Sequence, residues 1–411
     1  MPLFRHTRYE SSGSLSRQSW LKFRRNRLGM AALIFILLTA VAAILGYLIT
    51  PDKTPYANDQ YLELGLKKPG TQVTFLLVHK SEMPEPGNLL HTMLWGRKNE
   101  YTAIPISGFH FDGTSLVVNE YSDAPGPVAR TARYNLAAIV YPLPADTAGM
   151  RTVNGSLVFR DLTGRVIRVP VEELSIEVLT HHIVKRRFLL GTDRFGRDLF
   201  SQLLIGTRVS LSVGFISVFI SLVIGILIGS LGGFFRGRID SVVVWFINVV
   251  WSIPTLLLVI AITFALGKGF WQVFVAVGLT MWVEVARVVR GQILGIREKE
   301  YVEAGRALGF SNFRIVFHHI LPNIMGVVIV IAAANFASAI LLEAGLSFLG
   351  IGVQPPVPSW GSMIRENYGY IILDSAYLAI IPGVAIMLLV LAFMLVGNAL
   401  RDALDVRTSA V

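Results

Sequence analysis

Six long apolar runs constrain this chain more than any other feature of it. They fall at 28–50, 208–233, 239–266, 270–289, 320–342 and 377–400. A helix needs about 20 mostly apolar residues to cross a bilayer. The runs therefore predict an α-helical membrane protein with six spans. Composition agrees: the chain is 53% hydrophobic and only 16% charged, against about 25% charged in soluble domains. The first run is longer than the roughly 7–15 apolar residues of a signal peptide, so we read it as an uncleaved anchor. It follows a basic tail over 1–27 that holds Arg17, Lys22, Arg24, Arg25 and Arg27.

Six spans put both termini on one side, and arginine and lysine select which. Arg236 and Arg238 lie between spans two and three. Arg287, Arg290, Arg297, Lys299, Arg306 and Arg314 lie between four and five, and Arg401 and Arg407 fall in the tail at 401–411. The opposite short loops offer only Lys268 and Arg365. Short basic loops stay cytoplasmic, so both termini are expected in the cytoplasm. The net charge of +10 is explained by those loops and calls for no nucleic acid. With no cysteine in the chain, disulfides, thiolate metal sites and cysteine nucleophiles are excluded.

Residues 51–187 read differently. Alternating segments at 73–79, 103–110, 115–119, 134–141, 156–160 and 166–169, punctuated by Pro and Gly, predict a β-rich domain outside the membrane. The last two segments suit a hairpin, closed by Pro170. His91, His110, His181 and His182 fall in or beside this region, but their spacing fits no zinc motif.

The polar stretch between spans four and five reads YVEAGRALGFSNFRIVFHHILPN, from Tyr301 to Asn323. Helix formers run from 297 to 308, with Tyr301, Ala304, Gly305 and Leu308 on one face. Lys299, Glu303 and Arg306 are spaced for local charge pairs. Gly309 suits a left-handed helix stop. Ser311 suits a cap for a second helix that turns Phe313, Val316 and Phe317 inward. Pro322 falls in the first turn of span five. The expectation is two short surface helices bent at a glycine. Such an element can seat in a groove of another protein or simply lie in the interface.

Elsewhere, Gly225 and Gly229 allow close helix packing in span two, and Pro254 is expected to kink span three. Glu284 and Glu343 stand near expected membrane boundaries, and we assign neither as a substrate ligand. The chain has no GxxxxGK[ST] phosphate loop; its Gly267-Lys268 pair runs on to Gly269.

Glu303, Ala304, Gly305, Arg306 and Gly309, followed by Ile320, Leu321 and Pro322, closely resemble the EAA coupling loop of binding-protein-dependent ABC import permeases. Gly305 replaces an alanine of that pattern. Further motifs match the dipeptide, oligopeptide and nickel importer class in order. Gly191, Thr192, Asp193, Gly196, Arg197 and Asp198 form GTDxxGRD before span two. Trp251, Ser252, Ile253 and Pro254 open span three. Pro355, Pro356, Ser359, Trp360 and Gly361 belong to an outer GxGxxPPxPSWG loop, and Asp402, Ala403, Leu404 and Asp405 to a DALD ending. The resemblance covers 28–50 and about 188–407.

It implies a six-span type I ABC importer permease bundle, the first span at 28–50 and five more in a core over 188–400, with the coupling loop at 297–322. It implies a transport subunit of the bacterial inner membrane rather than an enzyme. No cofactor is expected on this chain. ATP and Mg would act on two partner ATPases, beside a homologous second permease subunit and an extracytoplasmic solute-binding protein. The cargo would be peptides or a related small solute. A secondary transporter driven by an ion gradient would show repeated halves, which are not evident. A receptor with an outer ligand-binding domain is the other alternative.

Overall fold

The computed structural model describes residues 15–83, 88–122, 130–144, 150–267 and 269–404. Lys268, Asp405 and Arg407 lie outside the described residues. Helix α1 (Leu15–Arg25) leads into α2 (Arg27–Ile49). Asn26 separates them as a cap, its side chain accepting from Gly29 N at 3.0 Å, the bond an N-cap side chain supplies to an orphan donor.

The segment after α2 builds β1 (Gln72–His79), α3 (Leu89–Trp95), β2 (Tyr101–Asp112), β3 (Ser115–Glu120), β4 (Thr131–Asn135) and α4 (Leu136–Val140). Beyond α4 come β5 (Arg151–Val153), β6 (Ser156–Arg160), β7 (Val166–Pro170), α5 (Val171–Glu177) and β8 (Ile183–Arg187). The strands form a five-stranded sheet in the order β4-β3-β2-β1-β8 and a three-stranded sheet β5-β6-β7. One core joins them: Leu116 and Val118 from one sheet and Leu157 and Phe159 from the other meet Ile139 and Leu174 of the small helices. The two-residue spacing within each strand puts these side chains on one face.

Two expectations change here. The strand anticipated at 134–141 ends at Asn135 and becomes α4. Asn135 itself causes the switch, its side chain accepting from Ala137 N at 2.9 Å as the cap of an alanine-containing turn. Strand β8 was not anticipated; its basic sequence pairs as an edge strand with β1, where exposed charge is tolerated. The hairpin of β6 and β7 has a five-residue turn, with Arg160 opposite Val166. Asp161 holds that turn by accepting from Thr163 N and Arg165 N, both at 2.9 Å.

The remaining chain is helical: α6 (Leu199–Phe235), α7 (Gly237–Trp251), α8 (Thr255–Leu266), α9 (Phe270–Ile296), α10 (Glu300–Ala307), α11 (Asn312–Arg314), α12 (Leu321–Phe348), α13 (Trp360–Asn367) and α14 (Tyr377–Leu404). Among the described residues five helices are long and apolar enough to cross a bilayer: Arg27–Ile49, Leu199–Phe235, Phe270–Ile296, Asn312–Phe348 and Tyr377–Leu404. The span expected at 239–266 with a kink at Pro254 is instead a broken pair, α7 and α8 meeting at 90°. The count rises to six if that pair is one span. Pro254 removes a helical donor and biases Ile253 away from helix, so the break is far sharper than a kink.

Helices α6 and α9 form the tightest pair. A side chain added at Gly225 would meet Val285 Cβ at 2.5 Å, and one at Gly229 would meet Ala286 O at 2.5 Å. These glycines let the two backbones approach. At one end of the bundle Phe234, Val289, Ile293, Val302 and Ile315 pack together. At the other, Leu199, Trp360, Met363 and Leu378 do so.

Candidate functional site

The first candidate surface is the segment between α9 and α12. Helix α10 ends in a Schellman motif: Phe310 N donates to Gly305 O at 3.0 Å and Gly309 N to Arg306 O at 2.9 Å. That closure requires a left-handed residue, and Gly309 supplies it with φ +77. Ser311 then caps α11, accepting from Arg314 N at 3.3 Å.

The chain beyond α11 is not a second short surface helix. Ile315–Ile320 forms a π turn, and Leu321 N donates five residues back to Val316 O. The widened turn accommodates Pro322, which lacks a donor and would crowd a regular turn. The helix consequently runs on without interruption from Asn312 to Phe348.

Burial also differs from the expected faces. Val302 and Gly305 turn inward, while Tyr301, Ala304 and Leu308 do not. Val316 is buried, but Phe313 points out. Leu308 is 72% exposed and Phe313 67%, so two large apolar side chains flank the glycine largely in the open, Phe313 with one ring face on Phe317. Glu303 and Arg306 are exposed beside them. The anticipated pairs among Lys299, Glu303 and Arg306 do not form among the described residues. Arg306 instead lies over the Phe234 ring at 5.3 Å, tying α10 to the end of α6. Leu321 and Pro322 sit where the π turn passes into α12.

The second surface joins motifs that are far apart in sequence. Asp193 accepts from Phe195 N and Arg197 N, both at 2.9 Å. Its other oxygen accepts from Arg197 Nε at 2.6 Å, and the same guanidinium reaches Glu366 at 2.6 Å. Burial raises the Asp193 carboxyl, and the Arg197 charge opposes that rise. Asp198 caps α6, accepting from Ser201 N at 2.9 Å, and burial raises its carboxyl too.

Thr192 links the same turn to the stretch after α2, accepting from Lys67 N at 2.9 Å. Gly191 and Gly196 adopt φ +81 and +74. A side chain at Gly196 would stand 1.8 Å from Tyr61 O, so only glycine fits. Across the turn, Ser359 caps α13 in a reciprocal capping box with Ser362. Trp360 Nε1 donates to Leu203 O at 2.9 Å. Gly361 packs on the backbone of Ala344. Pro355 and Pro356 border a small cleft with Arg197 and Glu366. These residues form a brace, with no arrangement for nucleophilic or acid–base chemistry. Among the described residues no group of three metal-ligating side chains occurs.

The two acidic residues of the spans need correction. Glu343 is fully buried, its Oε1 accepting from Ser347 Oγ at 2.7 Å, while Ser347 Oγ accepts from Val353 N at 3.2 Å. Through Ser347 it pins the start of the loop after α12. Glu284 is not near a boundary, because α9 continues to Ile296.

Residues 221–410 match the model for a "binding-protein-dependent transport system inner membrane component", and residues 14–69 match the "N-terminal TM domain of oligopeptide transport permease C". The chain is 40% identical over 216 residues to the glutathione transport system permease protein GsiD of Pectobacterium atrosepticum, covering 53% of this chain and 71% of that protein. It is 43% identical over 220 residues to the di/tripeptide transport system permease protein DppC of Pseudomonas aeruginosa, covering 53% and 72%. The chain belongs to the binding-protein-dependent ABC import permeases. A solved structure of the MetNI methionine ABC transporter aligns with 49% of this permease and 96% of its own chain, at TM-score 0.42 and 22% identity. As a permease, the protein is a transport component of a multi-pass membrane assembly, and ATP hydrolysis belongs to separate subunits. Most of the β-rich region falls outside both family matches.

Proposed function

We propose that this permease forms half of the translocation pathway of an ATP-driven importer of peptides or a related small solute. In this reading α7 and α8 are one broken span, giving six, and both termini face the cytoplasm of a bacterial inner membrane. The β-rich domain at 51–187 faces outward, where long segments translocate largely regardless of charge. A homologous permease completes the pathway. Two ATPases, carrying ATP and Mg, dock on the two coupling segments at 297–322, and an extracytoplasmic binding protein delivers the solute.

The observation that carries this reading is the uncovered pair Leu308 and Phe313 on a glycine-closed helix end. Large apolar side chains beside charges at a helix stop make a surface suited to a partner groove. Glu303, Ala304, Gly305, Arg306 and Gly309 form the docking element, and Leu321 and Pro322 pass its movement to α12. The names of the relatives support peptide cargo. The ATPases would bias two bundle packings of similar free energy.

Reconstitution tests this directly. The permease with its partners in proteoliposomes should import a labelled dipeptide only with ATP, and collapse of ion gradients should leave uptake intact. Uptake by this chain without an ATPase would overturn the proposal. Deleting residues 70–175 separates transport from a receptor role: uptake that survives marks the outer domain as accessory.

A further inference from the structure

The elbow between α7 and α8 borders an open cavity of about 330 Å³, lined by Trp251, Ile253, Thr255, Thr280, Glu284 and Ser338, with Glu284 exposed to it. Four helices contribute, and the carboxylate of Glu284 is the acidic group among these six. Glu284 stands fourteen residues beyond Phe270 and twelve before Ile296 in α9. At 1.5 Å per residue that is roughly 20 Å from either end, deep in a hydrocarbon core about 30 Å thick.

No hydrogen bond or ion pair satisfies this carboxylate among the described residues. The cation one turn further on, Arg287, is engaged elsewhere: its guanidinium lies 3.7 Å from the centre of the Trp251 ring. An unpaired carboxylate at this depth is costly unless water or a ligand meets it. The polar side chains of Thr280 and Ser338 border the same space, so the cavity is built to be wet. Helix α7 ends at Trp251, which brings its negative dipole end to the elbow. Helix α8 starts at Thr255 and offers donors on the opposite side, suited to a carbonyl. In secondary transporters, broken helices hold transported solutes in this way.

We propose that Glu284 is the point in the pathway that recognises a protonated amine of the cargo, with the donors of α8 taking the adjoining carbonyl. Free peptides and amino-acid amides carry that pair of groups. The inference deepens the importer reading and rests on it for the identity of the cargo, though not for the acidic character of the cavity.

The native chain has no cysteine, so Ser338→Cys places a single thiol on this chain at the cavity. The complete transporter carrying it is reconstituted and treated with a cationic ethylammonium methanethiosulfonate or its anionic sulfonatoethyl counterpart. The cationic reagent should label this chain about tenfold faster, the factor expected for a charged hydrogen bond. Glu284→Gln should erase that preference and Glu284→Asp should keep it. Uptake of alanyl-alanine should fall about tenfold in Glu284→Gln on the same basis, with recovery in Glu284→Asp. Equal labelling by both reagents, or no labelling in any nucleotide state, would overturn the proposal. So would wild-type uptake by Glu284→Gln, which leaves the importer reading standing. A charge preference in a complex that imports no peptide would support the acidic cavity and sink the peptide reading instead.

Discussion

Arg197 reaches across 169 residues of chain to Glu366, its terminal nitrogen 2.6 Å from the carboxylate, while its Nε holds Asp193 at the same distance. One buried guanidinium thus joins the turn before α6 to the end of α13.

Removing that cation strands two carboxylates. Asp193 is almost fully buried and Glu366 largely so. Breaking a buried pair by deleting one partner costs about 3–5 kcal/mol. Arg197→Met should lower the thermal unfolding midpoint of the purified permease markedly. Pairing it with Asp193→Asn and Glu366→Gln should restore much of the loss, since no unpaired charge remains.

The two glycines of the coupling segment should respond oppositely. Gly309 has open space around it but a left-handed backbone, so Gly309→Ala costs about 1–2 kcal/mol from backbone strain alone. The damage falls on the Schellman stop, and ATP-driven uptake should drop with little change in helix content. Gly305 lies inside α10, and a side chain there would meet Phe310 at 3.5 Å, an ordinary contact. Gly305→Ala should stabilise the helix by about 1 kcal/mol and keep uptake.

Leu308 and Phe313 contribute nothing to the core through their exposed faces. Replacing both by Glu should leave the unfolding midpoint within about 0.5 kcal/mol of wild type, as surface changes do. Co-purification of the ATPases should be lost. Retention of the ATPases by the doubly charged variant would remove this face from the docking site.

His182 should give the β-rich domain a pH response. It is buried, and its Nδ1 donates to Leu77 O at 2.8 Å. Burial holds the imidazole below its ordinary 6.5. A histidine lowered in the fold stays neutral while the unfolded chain takes a proton, so its stabilising share is lost as pH falls through about 6.5. Chemical denaturation of the permease should show the β-domain weakening below that pH, and His182→Phe should flatten the dependence.

Local chemistry made the coupling segment readable. Gly309 and Ser311 act on their immediate neighbours, so the helix stop and the following cap were evident from residue type. The junction after them was not, because the π turn reconciles Pro322 with a helix that tertiary packing keeps continuous. The brace could be recognised as a set of motifs, but the meeting of Arg197 with Glu366 is a long-range contact that spacing does not encode. Pro254 signalled an interruption without its angle. Glu284 was misplaced for a definite reason: Arg287 and Arg290 looked like the end of a span. In the fold Arg287 rests on Trp251 and Arg290 is paired with Asp240, one bond at 2.7 Å. Both cations are accommodated along a helix that continues to Ile296.

The π turn has a mechanical consequence. Because it keeps Asn312–Phe348 as one 37-residue rod, the segment closed by Gly309 and the loop held by Glu343 and Ser347 sit at opposite ends of one stiff member. At 1.5 Å per residue that rod is about 55 Å long, and a tilt of about 5° about one end would sweep the other through roughly 5 Å. Motion at Asn312 would therefore need no relay through side chains to reach the loop after Phe348; the backbone itself would carry it.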